Sequence, residues 1–155
     1  MSPLFGGKDQ QKDQQKEEAL EEWRQALEAE FDRLDSLSLG QLGAEVMTAA
    51  CERLRDEVTV GGTALHIGPT SYGCAKRMME SKGLSFPRAP MKDRELQERI
   101  MCLVAEGLQQ LEHASLVRLQ VEDQTSYGSG YWLTRRGRTA FERGEVEDIL
   151  TAATG

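Results

Sequence analysis

From Asp93 to Phe141 the sequence changes its hydrophobic period from that of a helix to that of a strand, which strongly restricts the possible folds. In the first half of this stretch, apolar residues recur every three or four positions, so they lie on one face of a helix of about four turns. From Val117 to Val121 apolar and polar residues alternate, as in a strand with one buried face. A second strand is predicted at residues 131–133, and Thr134 is placed to cap a short helix after it. The helical stripe consists of Leu96, Ile100, Leu103, Val104, Leu108 and Leu111.

Two segments of this stretch resemble bacterial winged-helix domains. Residues 103–117, LVAEGLQQLEHASLV, resemble the third helix of such domains, which leads directly into the first wing strand. Residues 131–138, YWLTRRGR, resemble the exit from the wing, where the pattern Leu-Thr-x-x-Gly-Arg begins a helix. The resemblance implies a mainly α-helical fold with a small antiparallel β-wing (α+β). It also implies DNA binding as the usual activity of the superfamily, although a fold alone does not fix a function.

The rest of the chain predicts the remaining elements of such a domain. Ser38 is placed to cap a helix that runs to about residue 54, and a strand is expected within residues 63–67. Thr70 or Ser71 then begins a helix to about residue 81. Residues 82–91 contain two prolines and are predicted to be an irregular linker. We therefore expect a flexible polar N-terminus (1–16), an amphipathic helix (17–35), a winged-helix domain (38–144) and a C-terminal tail with helical potential (145–155).

The added N-terminal helix carries an apolar stripe that is too large to be left in water. Its members follow one another at spacings of three, four, four and three: Leu20, Trp23, Leu27, Phe31 and Leu34. The stripe could be covered by the chain's own core, by a second copy or by a different protein. We expect a homodimer through this stripe, because dimerisation fixes the spacing of two DNA half-sites. The alternative interface between copies is formed by Val146, Ile149 and Leu150.

The negative charge of the chain is concentrated in its N-terminal part. The whole chain carries 19 basic and 26 acidic side chains and a net charge of −7, which by itself argues against nucleic-acid binding. Residues 1–57 carry 7 basic and 14 acidic side chains, whereas residues 58–155 carry 12 of each. We therefore expect the acidic N-terminal part to stay away from phosphates while the basic segment 76–99 approaches them.

The winged-helix resemblance assigns the candidate DNA contacts. A helix-turn-helix protein places the start of its second helix in the major groove, while the preceding helix and the wing contact the backbone. The corresponding side chains here are Lys92, Arg94, Gln97 and Arg99 on the reading helix, Lys76 and Arg77 on the helix before it, and Arg118, Arg135 and Arg136 around the wing. Basic residues are also common on any solvated face. Moreover, Asp93, Glu95 and Glu98 lie among these cations, and the expected wing tip, residues 122–130, contains no Lys or Arg.

The sequence does not indicate catalysis, a metal site or a cofactor. His66 and His113 lie at no catalytic or ligand spacing, and neither glycine pair belongs to a phosphate-binding loop. The three cysteines form no Cys-x-x-Cys pair, which is typical of a reduced cytosolic chain. No export signal or membrane-spanning run is recognised. We therefore expect a cytoplasmic protein that is not an enzyme.

Two functions agree with this sequence. The first is a winged-helix DNA-binding protein that regulates transcription. The alternative is a winged-helix module that binds another protein, through the N-terminal helix and the mixed-charge reading helix, and does not bind DNA. Affinity for duplex DNA that falls steeply with salt would distinguish the first from the second, because neutralised phosphates release counterions.

Overall fold

The computed structural model describes residues 4–52, 66–68, 71–87, 91–120 and 130–154. In this part of the chain the fold is mainly helical, as the sequence predicted, with six helices and three short strands. None of these helices combines the length and the apolar composition needed to cross a membrane. The elements follow in the order α1 (Leu4–Asp35), α2 (Leu39–Glu52), β1 (His66–Gly68), α3 (Ser71–Ser81), α4 (Met91–His113), β2 (Val117–Gln120), β3 (Gly130–Leu133), α5 (Arg135–Arg143) and α6 (Val146–Thr154).

Two helices begin at the caps that the sequence predicted. At the start of α2, the Gln41 N–H donates to Ser38 Oγ (3.2 Å) and the Ser38 N–H donates to Gln41 Oε1 (3.1 Å), which is a reciprocal capping box. At the start of α5, the Gly137 N–H donates to Thr134 Oγ1 (2.9 Å). Helix α5 ends at Gly144, whose φ of 66° is the left-handed conformation that glycine adopts without strain.

The three strands form one antiparallel sheet in the order β1-β3-β2. Val117 and Leu133 are paired in β2 and β3, and His66 of β1 lies opposite Trp132 of β3. Helices α3 and α4 therefore lie in sequence between the two edge strands. Residues 122–129 of the expected wing tip (122–130) lie outside the described residues, as do residues 63–65 of the expected first strand. Gly130, the last residue of that expected tip, belongs to β3.

Helices α2, α4 and α6 approach one another closely at glycines. A Cβ on Gly43 would lie 2.4 Å from Leu150 Cδ1, and a Cβ on Gly107 would lie 2.7 Å from Val46 Cγ2. The absence of side chains at these two positions lets the three helices pack in direct contact. The apolar stripe predicted for α4 faces this core, since Ile100, Val104, Leu108 and Leu111 are fully buried.

Helix α6 belongs to the core and extends it beyond the domain boundary expected at residue 144. Its apolar face packs on α2, with Leu150 against Gly43, and both Val146 and Leu150 are buried. Ile149 is partly buried beside them. Because these residues are spaced by three, one and four positions, they lie on a single apolar face of α6. The chain's own α2 therefore covers the surface that the sequence offered as an alternative interface between copies.

Helix α1 is continuous from Leu4, so it includes most of the segment 1–16 that was expected to be a flexible terminus. This segment is rich in Gln and Lys, which have high helix propensity. The side chains of residues 9–19 are all exposed, so this part of α1 extends beyond the core without packing on it.

The apolar stripe of α1 is covered by the chain's own core, where we had expected a second copy. Leu27 and Leu34 have no exposed surface, while Trp23 and Phe31 pack at the edge of the core and Leu20 is half-buried. In this packing Leu27 and Leu34 are not available to a partner. Deleting residues 1–35 would therefore remove two core residues, Leu27 and Leu34.

The contact between α5 and the end of α4 provides a test of the fold. A Cβ on Gly137 would lie 1.9 Å from the Leu116 carbonyl oxygen, which is backbone and cannot turn away. We expect Gly137→Ala to lower the free energy of unfolding by about 1–3 kcal/mol, the usual cost of overpacking. Urea denaturation measures the change, with exposed Thr139→Ala in the same helix as the control. Equal stability of the two variants would contradict the close contact of α5 with Leu116.

Candidate nucleic-acid interface

The turn between α3 and α4 is held by side chains from three different helices. Its residues 84–87 have no regular secondary structure, so their carbonyl groups lack helix or sheet partners. Three consecutive carbonyl oxygens of this turn accept side-chain hydrogen bonds instead. The donors are Trp23 Nε1 to Ser85 O (2.6 Å), Tyr72 Oη to Phe86 O (3.2 Å) and Gln97 Nε2 to Pro87 O (2.5 Å).

The same turn is anchored by its own backbone and by one aromatic ring. Gly83 adopts a φ of 76°, and the Leu84 N–H donates to Met79 O (2.9 Å), which ends α3 in a tight turn. The Phe86 side chain is fully buried, with its ring 5.8 Å from that of Tyr72. The segment that the sequence predicted as an irregular linker therefore fixes the position of α4 relative to α3.

Asp93, in the first turn of α4, is buried and paired with α1. The Arg24 guanidinium donates to Asp93 through Nε (2.7 Å) and through its terminal nitrogen (3.4 Å), and Asp93 is only 3% exposed. The sequence analysis counted Asp93 among the carboxylates that would repel phosphates. Because its charge is compensated by Arg24 and lies below the surface, this repulsion is largely removed.

Four charged side chains attach α1 to α2 and to the end of α3. Arg33 donates to both carboxylate oxygens of Glu45 (2.7 and 2.6 Å) and to Glu30 (2.7 Å), and Lys82 also bonds Glu30. The Arg33 hydrogen bond lowers the pKa of Glu45. Burial would raise the pKa of Glu30, but its hydrogen bonds to Arg33 and Lys82 outweigh that effect and lower it.

Three of the predicted DNA contacts are exposed near the start of α4. Arg94 lies in the first turn of α4 and has no ion pair among the described residues. Arg99 pairs with Glu95 on the same helix (2.8 Å), and Lys76 of α3 lies 3.9 Å from Glu80. Arg77 is half-buried. Lys92 belongs to α4, but its side chain lies outside the described part of the structure.

Gln97 was expected to contact DNA, but its side chain points into the protein. It is 5% exposed and donates to Pro87 O, so it holds the turn in place. The sequence could not indicate this role. Gln97 lies between the exposed residues Glu95 and Glu98, and the apolar stripe of α4 does not define the rotation of the helix about its axis closely enough to assign Gln97 to the buried face. In this structure Gln97 is a positioning residue.

The remaining predicted contacts lie at the opposite end of α4. The Thr134 hydroxyl bonds Ser115 O (2.7 Å) and Leu116 O (2.9 Å), just after the end of α4, so α5 begins there. The side chains of Arg118, Arg135 and Arg136 are exposed in this region. At 1.5 Å per residue, Arg94 is about 28 Å from the far end of α4. The predicted cations therefore form two separate groups.

Among the side chains that the structure describes, the exposed face of α4 has no excess of positive charge. Two arginines, Arg94 and Arg99, share this face with three glutamates, Glu95, Glu98 and Glu106. The uncharged or titratable residues Cys102, Gln109 and His113 complete it. A surface of this kind attracts phosphates only where a cation projects beyond the carboxylates.

The described residues contain no group of three or more His, Cys, Asp or Glu side chains arranged to hold a metal ion. The three cysteines are thiols, two of them buried. Burial raises the pKa of the Cys74 thiol to about 11, although the nearby Arg77 opposes this shift. Comparisons with protein-family models, with curated proteins and with solved structures find no match to this chain.

The two neighbouring roles on α4 can be tested by a pair of variants. Gln97→Ala leaves the Pro87 carbonyl without this donor, so we expect the free energy of unfolding to fall by about 1–3 kcal/mol. Arg94→Ala removes an exposed, unpaired side chain and should change it by less than about 0.5 kcal/mol. Urea denaturation measures both. A Gln97→Ala variant as stable as the parent would restore Gln97 to the candidate DNA surface.

The charged cluster predicts a dependence of stability on pH. Since the folded-state pKa of Glu45 is lowered, its pairing stabilises the fold above the ordinary carboxyl pKa and is lost as the pH falls through the folded-state value. We expect Glu45→Gln to cost about 1 kcal/mol or less at neutral pH, because the pair is partly exposed, and nothing once Glu45 is protonated. Urea denaturation at several pH values measures this, with exposed Glu18→Gln as the control. A cost that persists unchanged in acid would contradict the ion pair.

Proposed function

We propose that this chain is a winged-helix protein that binds double-stranded DNA and regulates transcription in the cytoplasm. Its main support is the order of the elements, in which α3 and α4 lie between the first and second strands of a sheet ordered β1-β3-β2. The order helix, strand, helix, helix, strand, strand along the chain is the one that the winged-helix resemblance implies. Such a protein reads DNA with the start of its second helix, which is α4 here.

The fixed turn before α4 also favours this function. Recognition of a groove needs a helix held in one position relative to its support. Trp23, Tyr72 and Gln97 supply that constraint by binding the turn carbonyls. The side chains presented to DNA would then be Lys76, Arg77, Lys92, Arg94 and Arg99. Arg118 in β2 and Arg135 and Arg136 in α5 lie beyond the opposite end of α4 and form a separate group.

The charge of α4 favours the alternative, a winged-helix module that binds another protein. The described side chains on its exposed face include two arginines and three glutamates, which suits a partner of mixed charge better than a polyanion. A homodimer stays a prediction for either function. Its contacts would have to avoid Leu27 and Leu34, which are buried in the core.

Duplex binding at two salt concentrations tests the proposal. Fluorescence anisotropy with a random-sequence duplex should show affinity that falls steeply with salt. Replacing Lys92, Arg94 and Arg99 together by Ala should weaken binding at least about tenfold, and should reduce the slope of log affinity against log salt by up to about 3. A melting curve establishes that the variant remains folded.

Replacing Arg118, Arg135 and Arg136 together by Ala is the matched control, because it also removes three exposed cations, at the opposite end of α4. We expect this control to change the affinity for duplex DNA by less than about threefold, because it changes the net charge of the protein but removes none of the proposed DNA contacts at the start of α4. Equal loss in both variants would mean that charge alone drives binding. Unchanged affinity in the triple variant would favour the protein-interaction module.

A further inference from the structure

Helix α1 is attached to the first turn of α4 by a chain of charged contacts. Arg24 binds Asp93 through Nε (2.7 Å) and also binds Glu21 through its terminal nitrogen (2.5 Å). One guanidinium group therefore links the Glu21 carboxylate to the first turn of α4. Beside it, Trp23 is bonded to the turn before α4. The hydrogen bond of Trp23 and the ion pair of Arg24 fix the middle of α1 relative to the first turn of α4.

The segment of α1 that enters this contact is strongly acidic. Four carboxylates occur within residues 17–22, and all four side chains are exposed: Glu17, Glu18, Glu21 and Glu22. We call these four the acidic run. They lie within about two helical turns of Arg24, hence within about 11 Å along α1. The Debye length is about 8 Å at physiological salt and about 30 Å at 0.01 M. The whole acidic run therefore acts on charges at the start of α4 at low salt, whereas its more distant members are largely screened at physiological salt.

This placement differs from what the charge distribution along the sequence suggested. The acidic N-terminal part was expected to stay away from phosphates, but the Arg24–Asp93 contact attaches it to the first turn of α4, the turn that carries Arg94. A phosphate that approaches Arg94 therefore also meets the field of the acidic run. Asp93 does not add to that field in the same way, because it is buried and paired.

We propose that α1 is an autoinhibitory strap, which is held at the first turn of α4 and lowers the affinity of that turn for duplex DNA through the acidic run. This inference rests on the proposed function and deepens it. Because the run acts through charge, its effect weakens as salt rises. It also suppresses non-specific binding, which is mostly electrostatic, more than binding that depends on base contacts.

A full-length charge variant tests the strap without disturbing its anchors. Glu17→Gln, Glu18→Gln and Glu22→Gln together remove three negative charges, while Glu21 stays bonded to Arg24 and the core is untouched. We expect this variant to bind a random duplex more tightly than the parent, on the order of tenfold at low salt. The gain should shrink towards onefold in high salt.

A second full-length variant separates the local effect from the change in net charge. Glu145→Gln, Glu147→Gln and Asp148→Asn make the same change near the start of α6, far from the first turn of α4, and all three side chains are exposed. We expect a gain in duplex affinity of less than about threefold.

The outcomes separate the two proposals. If both variants gain equally, or if the acidic-run variant gains nothing while the parent binds, the strap is overturned and DNA binding stands. If neither the parent nor the acidic-run variant binds at low salt, both proposals are overturned.

Discussion

The position of α4 depends on a turn whose backbone cannot satisfy its own hydrogen bonds. Residues 85–87 present three consecutive carbonyl groups without helix or sheet partners, and Trp23, Tyr72 and Gln97 each bind one of them. Because the donors belong to α1, α3 and α4, this turn ties three helices together. The buried ring of Phe86 adds an apolar anchor at the same place. A shift in the position of any of these helices would therefore also move the start of α4.

Local signals in the sequence were sufficient to predict the main elements. The change of period after Ala114, the caps at Ser38 and Thr134 and the apolar stripe of α4 depend on residues close in sequence. The structure confirms all of them, with α4 ending at His113 and β2 beginning at Val117. The contacts that shape the candidate site are of a different kind. Trp23 and Ser85 are 62 residues apart, and Arg24 and Asp93 are 69 apart, so no spacing rule reveals them.

The candidate site was predicted in part for the same reason. Exposure of Arg94 and Arg99 followed from the helical period, but the rotation of α4 at Gln97 and the separation of Arg135 from Arg94 depend on tertiary packing. Two sequence signals pointed towards that packing. Phe86 is an aromatic residue in a proline-rich segment, and Gly137 stands where the resemblance places a glycine. Phe86 packs against Tyr72, and Gly137 lies against the backbone of Leu116. Both contacts join residues that are distant in sequence.

An amphipathic stripe shows that a helix face is covered, but it does not identify the cover. For α1 the cover is the core of its own chain, and the spacing of Leu27 and Leu34 would look the same in a dimer. The ion pairs of Arg24 and Arg33 identify the cover of the α1 stripe, because they join α1 to α4 and α2 of the same chain. Helix α1 is therefore part of the domain rather than an appendage. The first turn of α4 is paired with α1 through Arg24 and Asp93, so any partner that binds this turn approaches α1 as well.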